Sequence, residues 1–360
     1  MKAALFTEAK KPFEIVDVSI DKPGPGEVLI RTVAVGVCRS DLHFADGVYP
    51  SQFPTILGHE AAGIVEAVGE GVSRIKVGDN VVTCLSAFCG TCEQCVTGHL
   101  ALCESPSVQR PKGAAPRLSI NGEAVHQFQN LSAFAEMMLV HENAAVAVHP
   151  DMPLDRACLL GCAVVTGASA VFNGTKVRPG ETVAVIGCGG IGLAAINSAR
   201  IAGAGRIIAI DPQESKRALA LKLGATDAVA PDAERPHKAI VAMTGGGVHH
   251  AIEAVGRTQT AELAWNILRP GGTATILGMI PPGQNIQIHG PTTLMGRKLH
   301  GSLMGDNRFP VDIPRLANFY LDGRLDLDSI IAERVGLEDI NKAMETLRQG
   351  DAARTVVLFN

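Results

Sequence analysis

A glycine-rich turn between a strongly apolar run and a small-residue run constrains this chain more than any other feature. Thr182-Val183-Ala184-Val185-Ile186 leads into Gly187-Cys188-Gly189-Gly190-Ile191-Gly192, and small residues continue from Gly190 to Ala202. The apolar run predicts a buried strand, and the small residues predict a helix packed close against it. A second strand at Arg206–Asp211 and a charged helix through Leu223 follow. Further strands are predicted at Val248–Val255, Thr273–Leu277 and Lys298–Leu303, with a helix at Thr258–Leu268. Alternation of this kind predicts an α/β unit with a parallel, doubly wound sheet.

A bare G-x-G-x-x-G match can be no more than a turn. Here it leaves a strand and opens a helix, so backbone N–H groups and the helix dipole face a pyrophosphate. The next strand ends in Asp211, about 20 residues past the motif, where a carboxylate accepts hydrogen bonds from ribose hydroxyls. The same carboxylate would repel a 2′-phosphate, which points to NAD. The plainer alternative is that Asp211 caps the helix that follows.

The first 160 or so residues differ. Gly26–Val35 and Ala62–Val68 are rich in β-branched residues and flanked by turns at Pro23-Gly24-Pro25-Gly26 and Val77-Gly78-Asp79. They predict an all-β, barrel-like domain over 1–163, with Ser105–Asn130 as an irregular excursion. The parallel-sheet domain then spans 164–305. A tail, 306–360, carries a helix at Leu337–Gln349 and a strand at Thr355–Phe359 and is expected to return to the first domain.

Nine cysteines in 360 residues, four of them within fifteen positions, favour metal ligation over disulfides. Cys89, Cys92, Cys95 and Cys103 have spacings that let four thiolates converge on one tetrahedral ion, a closed structural zinc site. An iron–sulfur cluster suits four thiolates as well. A dispersed second set, Cys38, His59 and Cys162, has the Cys₂His composition of one kind of catalytic zinc shell. Each member alone reads equally as a buried thiol or a core histidine. Cys84, Cys158 and Cys188 read as packing residues.

The formal net charge of -4 offers nothing to a nucleic-acid backbone or an anionic membrane. No run approaches the roughly 20 apolar residues of a membrane span. An acid already at Glu8 leaves no signal-peptide core, so a cytoplasmic location is expected.

Over essentially its whole length the chain resembles the zinc-dependent alcohol dehydrogenases of the medium-chain dehydrogenase/reductase superfamily. The resemblance rests on Gly36-Val37-Cys38-Arg39-Ser40-Asp41, Gly58-His59-Glu60-Ala61-Ala62-Gly63-Ile64-Val65, the four-cysteine lobe, Gly187–Gly192 with Asp211, and Arg354-Thr355. It implies a GroES-like β-barrel catalytic domain plus a Rossmann coenzyme domain, two zinc ions per subunit and NAD. It assigns Cys38, His59 and Cys162 to the catalytic zinc, with Glu60 beside it and Asp41 orienting His59. Ser40 and His43 match a proton relay. Arg39 and Arg354 match pyrophosphate contacts, and Thr166 and Lys216 join the cofactor set.

The Ser105–Ala135 segment is similar to the dimeric classical and glutathione-dependent formaldehyde dehydrogenase branch, which implies a homodimer. Leu85 stands where that branch usually carries an aromatic, so bulkier primary alcohols are expected; Tyr49, Val108 and Leu277 are assigned to the same pocket. Glutathione-dependent formaldehyde oxidation is the rival activity, but Arg39-Ser40 replaces the His-Thr usual there. A non-catalytic, zinc-stabilised NAD-binding protein is a rival of another class, against which stands the complete set of relay and zinc residues.

Overall fold

The computed structural model describes residues 1–231, 236–350 and 354–359. Two compact units emerge: Met1–Ala163 with Arg308–Gly323 and Leu327–Asn360, and Val164–Asn307 with Arg324–Asp326.

The first unit is a GroES-like assembly of strands. Its spine is the ten-residue strand Glu27–Gly36, which pairs with Glu60–Val68, Met137–His141 and the tail strand Arg354–Leu358, all antiparallel. Ile331–Val335 extends the sheet beyond the tail strand. A second sheet joins His126–Gln127, Thr55–Ile56, Lys2–Phe6 and Glu14–Asp17. Between them lies a core that includes Phe6, Ile30, Ile56, Leu57, Phe134 and Met138. The tail helix is shorter than expected. A 3₁₀ turn at Leu337–Asp339 precedes the α-helix Ile340–Gln349, which Gly350 closes with a left-handed φ of 82°.

Helices at Arg39–Ala45 and from Leu154 correct the all-β expectation for 1–163, and the tail adds the thirteen-residue helix Phe309–Leu321, which contains Pro314. The last is hard to read in sequence because prolines disfavour a helix interior. The excursion 105–130 is also more ordered than expected, with Leu118–Ile120 paired to Ser19–Ile20 and to Glu123–Ala124.

The second unit is Rossmann-like. Among the described residues, six parallel strands run in the order Asp227–Val229, Arg206–Ile210, Thr182–Ile186, Val248–Glu253, Leu268–Ile276, Lys298–Gly301. Counted along the chain, that order reverses between Thr182–Ile186 and Val248–Glu253, the crevice where such sheets bind ligands. The strand predicted to reach Val255 stops at Glu253, whose carboxylate captures the N–H groups of Val255 and Gly256 and turns the chain. Among the described residues no single helix is long and apolar enough to cross a membrane.

Candidate active site

Strand Glu27–Gly36 delivers Cys38 to the start of helix Arg39–Ala45, where Cys38 is the extended residue before the first turn. Asp41, in that first turn, accepts the Cys38 N–H at 3.1 Å with one oxygen. Its other oxygen lies 2.9 Å from His59 Nδ1 and accepts the Gly58 N–H at 3.2 Å. Capping and orienting are thus two duties of one buried carboxylate. Gly58 precedes His59 with φ +87°, and a Cβ there would meet the Phe134 nitrogen at 2.7 Å. That glycine lets the chain bend His59 inward.

Cys162, after the buried turn Cys158–Gly161, completes the set. Its Sγ lies 4.0 Å from Cys38 Sγ and 3.3 Å from His59 Nε2. Metal–sulfur bonds of ~2.3 Å at tetrahedral angles place two thiolates about 3.8 Å apart, so these donors fit one ion. A disulfide at ~2.05 Å is far shorter. The Cys162 thiol beside Cys38 holds Cys38 well below the usual thiol range, against burial, and Arg354 and His59 reinforce it. Burial opposes charge on His59, yet the negative groups at Asp41 and Cys38 raise it above the usual imidazole range.

Glu60 and Arg354 stand behind this set. Burial pushes Glu60 up to about 7, with Arg354 opposing, and one Glu60 oxygen accepts the Ala163 N–H at 2.8 Å. Arg354 is 4% exposed, donates to the Val37 carbonyl at 3.0 Å and to Cys38 Sγ at 3.8 Å, and sits 3.8 Å from Glu60. Strand Arg354–Leu358 holds it inside the sheet, against the metal donors.

The lobe donors converge separately. Cys89 and Cys95 sulfurs are 3.9 Å apart, as are those of Cys92 and Cys103, and all four lie within 4.8 Å of one another. That compactness fits a single ion; the cysteines of an iron–sulfur cluster spread over several iron atoms. N–H groups of Thr91 and Cys92 point at Cys89 Sγ and bring its thiol down to about 5.

In the second unit, Gly187–Gly192 leaves strand Thr182–Ile186 and opens helix Gly190–Ile201. Two glycines are there for different reasons. A Cβ on Gly192 would lie 1.8 Å from the Gly187 carbonyl, whereas one on Gly189 would meet nothing within 4 Å. The first permits the turn; the second keeps open space at a helix N-terminus, a cradle for a pyrophosphate. Asp211 accepts the Cys188 N–H and the Gln213 N–H, each at 2.9 Å, so its carboxylate is fixed beside the loop as well as capping the turn.

Comparison with known proteins identifies the family. The alcohol dehydrogenase GroES-like domain model matches residues 24–151, and the zinc-binding dehydrogenase model matches 190–318. An alcohol dehydrogenase zinc-binding domain protein from Burkholderia ambifaria is 36% identical, with TM-score 0.95, over 100% of this chain and 98% of that one. Benzyl alcohol dehydrogenase from Acinetobacter calcoaceticus is 33% identical, with TM-score 0.92, over 100% and 99%. A zinc-binding dehydrogenase from Sinorhizobium meliloti 1021 bound to NADP is 27% identical, with TM-score 0.82, over 99% of each.

The chain belongs to the zinc-dependent medium-chain dehydrogenase/reductase superfamily. It is an oxidoreductase of the alcohol dehydrogenase type, a family known for the Cys₂His zinc shell.

The remaining expected residues of this dehydrogenase belong to both units. Ser40 Oγ lies 3.8 Å from Cys38 Sγ. His43 is half-buried and edge-on to Tyr49 at 6.2 Å; burial and the Arg39 charge lower its pKa. Arg39 is exposed, and Lys216 is half-buried on helix Glu214–Lys222. Thr166, 3% exposed, donates to the Met304 sulfur at 3.5 Å. Leu85 packs part-buried against the core of the first unit. Leu277, in the second unit, bonds through its N–H to the Glu253 carbonyl. Val108 is 4% exposed inside the first unit's core.

Two buried groups escaped the sequence reading. Glu253 is fully buried and organises the Val255–Thr260 turn. Phe128 lies edge-on to His59, with ring centroids 5.9 Å apart. Neither sits in a motif, and only three-dimensional adjacency reveals them.

Proposed function

We propose that this chain is an NAD-dependent alcohol dehydrogenase holding two zinc ions per subunit, one at Cys38–His59–Cys162 and one in the lobe. Its substrates are primary alcohols with aromatic or longer aliphatic groups, and the corresponding aldehydes. The observation that carries the reading is the Cys38–His59–Cys162 donor set, which leaves a fourth tetrahedral position for substrate, with the Ser40 hydroxyl beside it. Zinc bound there supplies a Lewis acid, of the kind that lowers the pKa of bound water from about 15.7 to about 7. Asp41 orients His59, Glu60 stands by the donors, and Ser40 takes the alcohol proton, with His43 passing it on to solvent. Gly187–Gly192 binds the NAD pyrophosphate, with Arg39 and Arg354 as its charged contacts and Lys216 and Thr166 in the cofactor set, and Asp211 accepts the ribose hydroxyls and repels a 2′-phosphate. Leu85 in place of an aromatic, and the likeness to a benzyl alcohol dehydrogenase, support bulky substrates.

The test is NADH formation with a panel of primary alcohols, wild type beside Cys38→Ala. Turnover should favour benzyl alcohol over ethanol, exceed that with NADP, and disappear in the variant while lobe zinc stays. Formaldehyde oxidation only with glutathione present would overturn the substrate class. No turnover by zinc-loaded protein in either direction would overturn the enzyme.

We also propose a homodimer. Strand Lys298–Gly301 is at the sheet's edge and, among the described residues, pairs only with Leu268–Ile276. Exposed Leu294 (89%), Met295 and Leu299 lie on and just before it. Open edges with apolar neighbours invite a partner strand. Sedimentation should give twice the 37.6 kDa chain mass; a monomer would sink the proposal.

A further inference from the structure

Strand Glu27–Gly36 begins in a buried ionic cluster. Glu27 is 3% exposed and accepts from Arg117 Nε at 2.7 Å, Arg110 Nη2 at 2.7 Å and the Gly24 N–H at 2.8 Å. Buried ion pairs recover their desolvation only with excellent geometry, and apolar replacements of such clusters are often no less stable. Stability alone is therefore a weak account of why charge sits here, and the remaining donors of Arg117 suggest another.

Arg117 Nη1 donates to Gln127 Oε1 at 2.7 Å, and Nη2 donates to the Val108 carbonyl at 2.9 Å. The Gln127 amide then donates to the Leu131 and Leu139 carbonyls. One guanidinium thus ties the spine strand to both ends of the 105–130 excursion. Phe128 follows Gln127, and its N–H donates to Ser132 Oγ at 2.8 Å. Gln129, Asn130 and Ser132 have φ of 52°, 59° and 58°. Side chains other than glycine adopt that conformation only where surrounding bonds enforce it. The held ring of Phe128 meets His59 on one side and Phe44, at 4.9 Å, on another. With Phe44, Thr55 and Gln127 it also lines a cavity of about 200 Å³.

We propose that Arg117 is a positioning residue that, through Gln127, fixes the Phe128 ring beside the metal ligand His59 and so sets alcohol specificity. The inference rests on the dehydrogenase reading above.

The experiment compares wild type, Arg117→Met, Arg117→Lys, Gln127→Met and Phe128→Ala as zinc-loaded proteins. It reads kcat, KM for benzyl alcohol, Tm and, without turnover, the Kd of benzyl alcohol by ligand-observed NMR. Arg117→Met and Gln127→Met should raise KM and Kd roughly tenfold with kcat nearly unchanged, the signature of lost uniform binding. Arg117→Lys should recover part of it. In a Phe128→Ala background, Arg117→Met should add nothing further to KM. Lowered Tm with KM and Kd unchanged, or additive effects at 117 and 128, would overturn the proposal. Gln127→Met keeps the buried charges paired, so it carries the test if Arg117→Met does not fold. Wild-type binding without turnover would count against the dehydrogenase reading alone, since the Kd series still decides this one.

Discussion

The Asp41 carboxylate lies 2.9 Å from His59 Nδ1 with one oxygen and accepts the Cys38 N–H at 3.1 Å with the other, both side chains fully buried. A single residue therefore sets the position of two of the three donors. Partners that orient a ligating imidazole typically contribute 10–100-fold to metal affinity, and loss of a helix cap costs about 1 kcal/mol. Asp41→Ala should accordingly weaken zinc binding at Cys38–His59–Cys162 by roughly tenfold or more. Competition against a chromophoric chelator measures this, and an unchanged affinity would show that His59 needs no such partner.

Gly189 and Gly192 should respond oppositely to the same added methyl group. Gly189 has φ −80° and open space around its Cβ position, so Gly189→Ala should fold with nearly wild-type Tm. Its methyl would occupy the phosphate cradle, and NAD affinity should fall at least about tenfold. Gly192→Ala drives a Cβ against the Gly187 carbonyl and should disrupt the unit itself. Calorimetric NAD titration beside thermal melts separates the two. Equal losses of stability at both positions would contradict the assignment.

How far this was legible depends on distance along the chain. The four lobe thiols are near neighbours in sequence, so their convergence can be read from spacing. His59 and Cys162 are 103 positions apart, and only the family resemblance links them before the fold does. Strand Thr182–Ile186 and its helix are legible because both faces of the strand are buried and its apolar run is unbroken. Helix Phe309–Leu321 is not, because its prolines read as breaks. Arg117 and Glu27 are 90 positions apart, and each alone looks like a solvated charge. Arg354 is alike: sequence supplies the guanidinium but not the sheet that buries it.

The lobe should behave as a small fold built on its ion. Cys95 is its buried ligand, while Val96 is 69% exposed and Leu102 is 42% exposed, so little apolar burial holds the segment. Metal binding then contributes folding free energy directly. Cys95→Ala should halve the zinc content and lower Tm by about 5 °C or more, since each kcal/mol moves a large domain by about 2–4 °C. Benzyl alcohol KM should change little in the protein that remains folded. A variant with full zinc content and wild-type Tm would remove the structural role of the site.

Acid should expose the Glu27 cluster. Burial alone would raise the Glu27 carboxyl, but hydrogen bonds from Arg110 and Arg117 outweigh it and hold the group at about 2, against an ordinary 4.5. The unfolded chain therefore takes up this proton at higher pH than the native one. The resulting stabilisation is complete above about pH 4.5 and is lost as pH falls towards 2, a total of about 3 kcal/mol. Glu27→Gln leaves two guanidinium groups without their buried counter-charge, so it should be less stable at neutral pH. The gap between wild type and Glu27→Gln, measured by urea unfolding, should shrink by about 3 kcal/mol between pH 5 and pH 2. Zinc release at low pH affects both proteins alike and cancels in that difference. A gap that stays constant across the window would mean that Glu27 is not held ionised by its arginines.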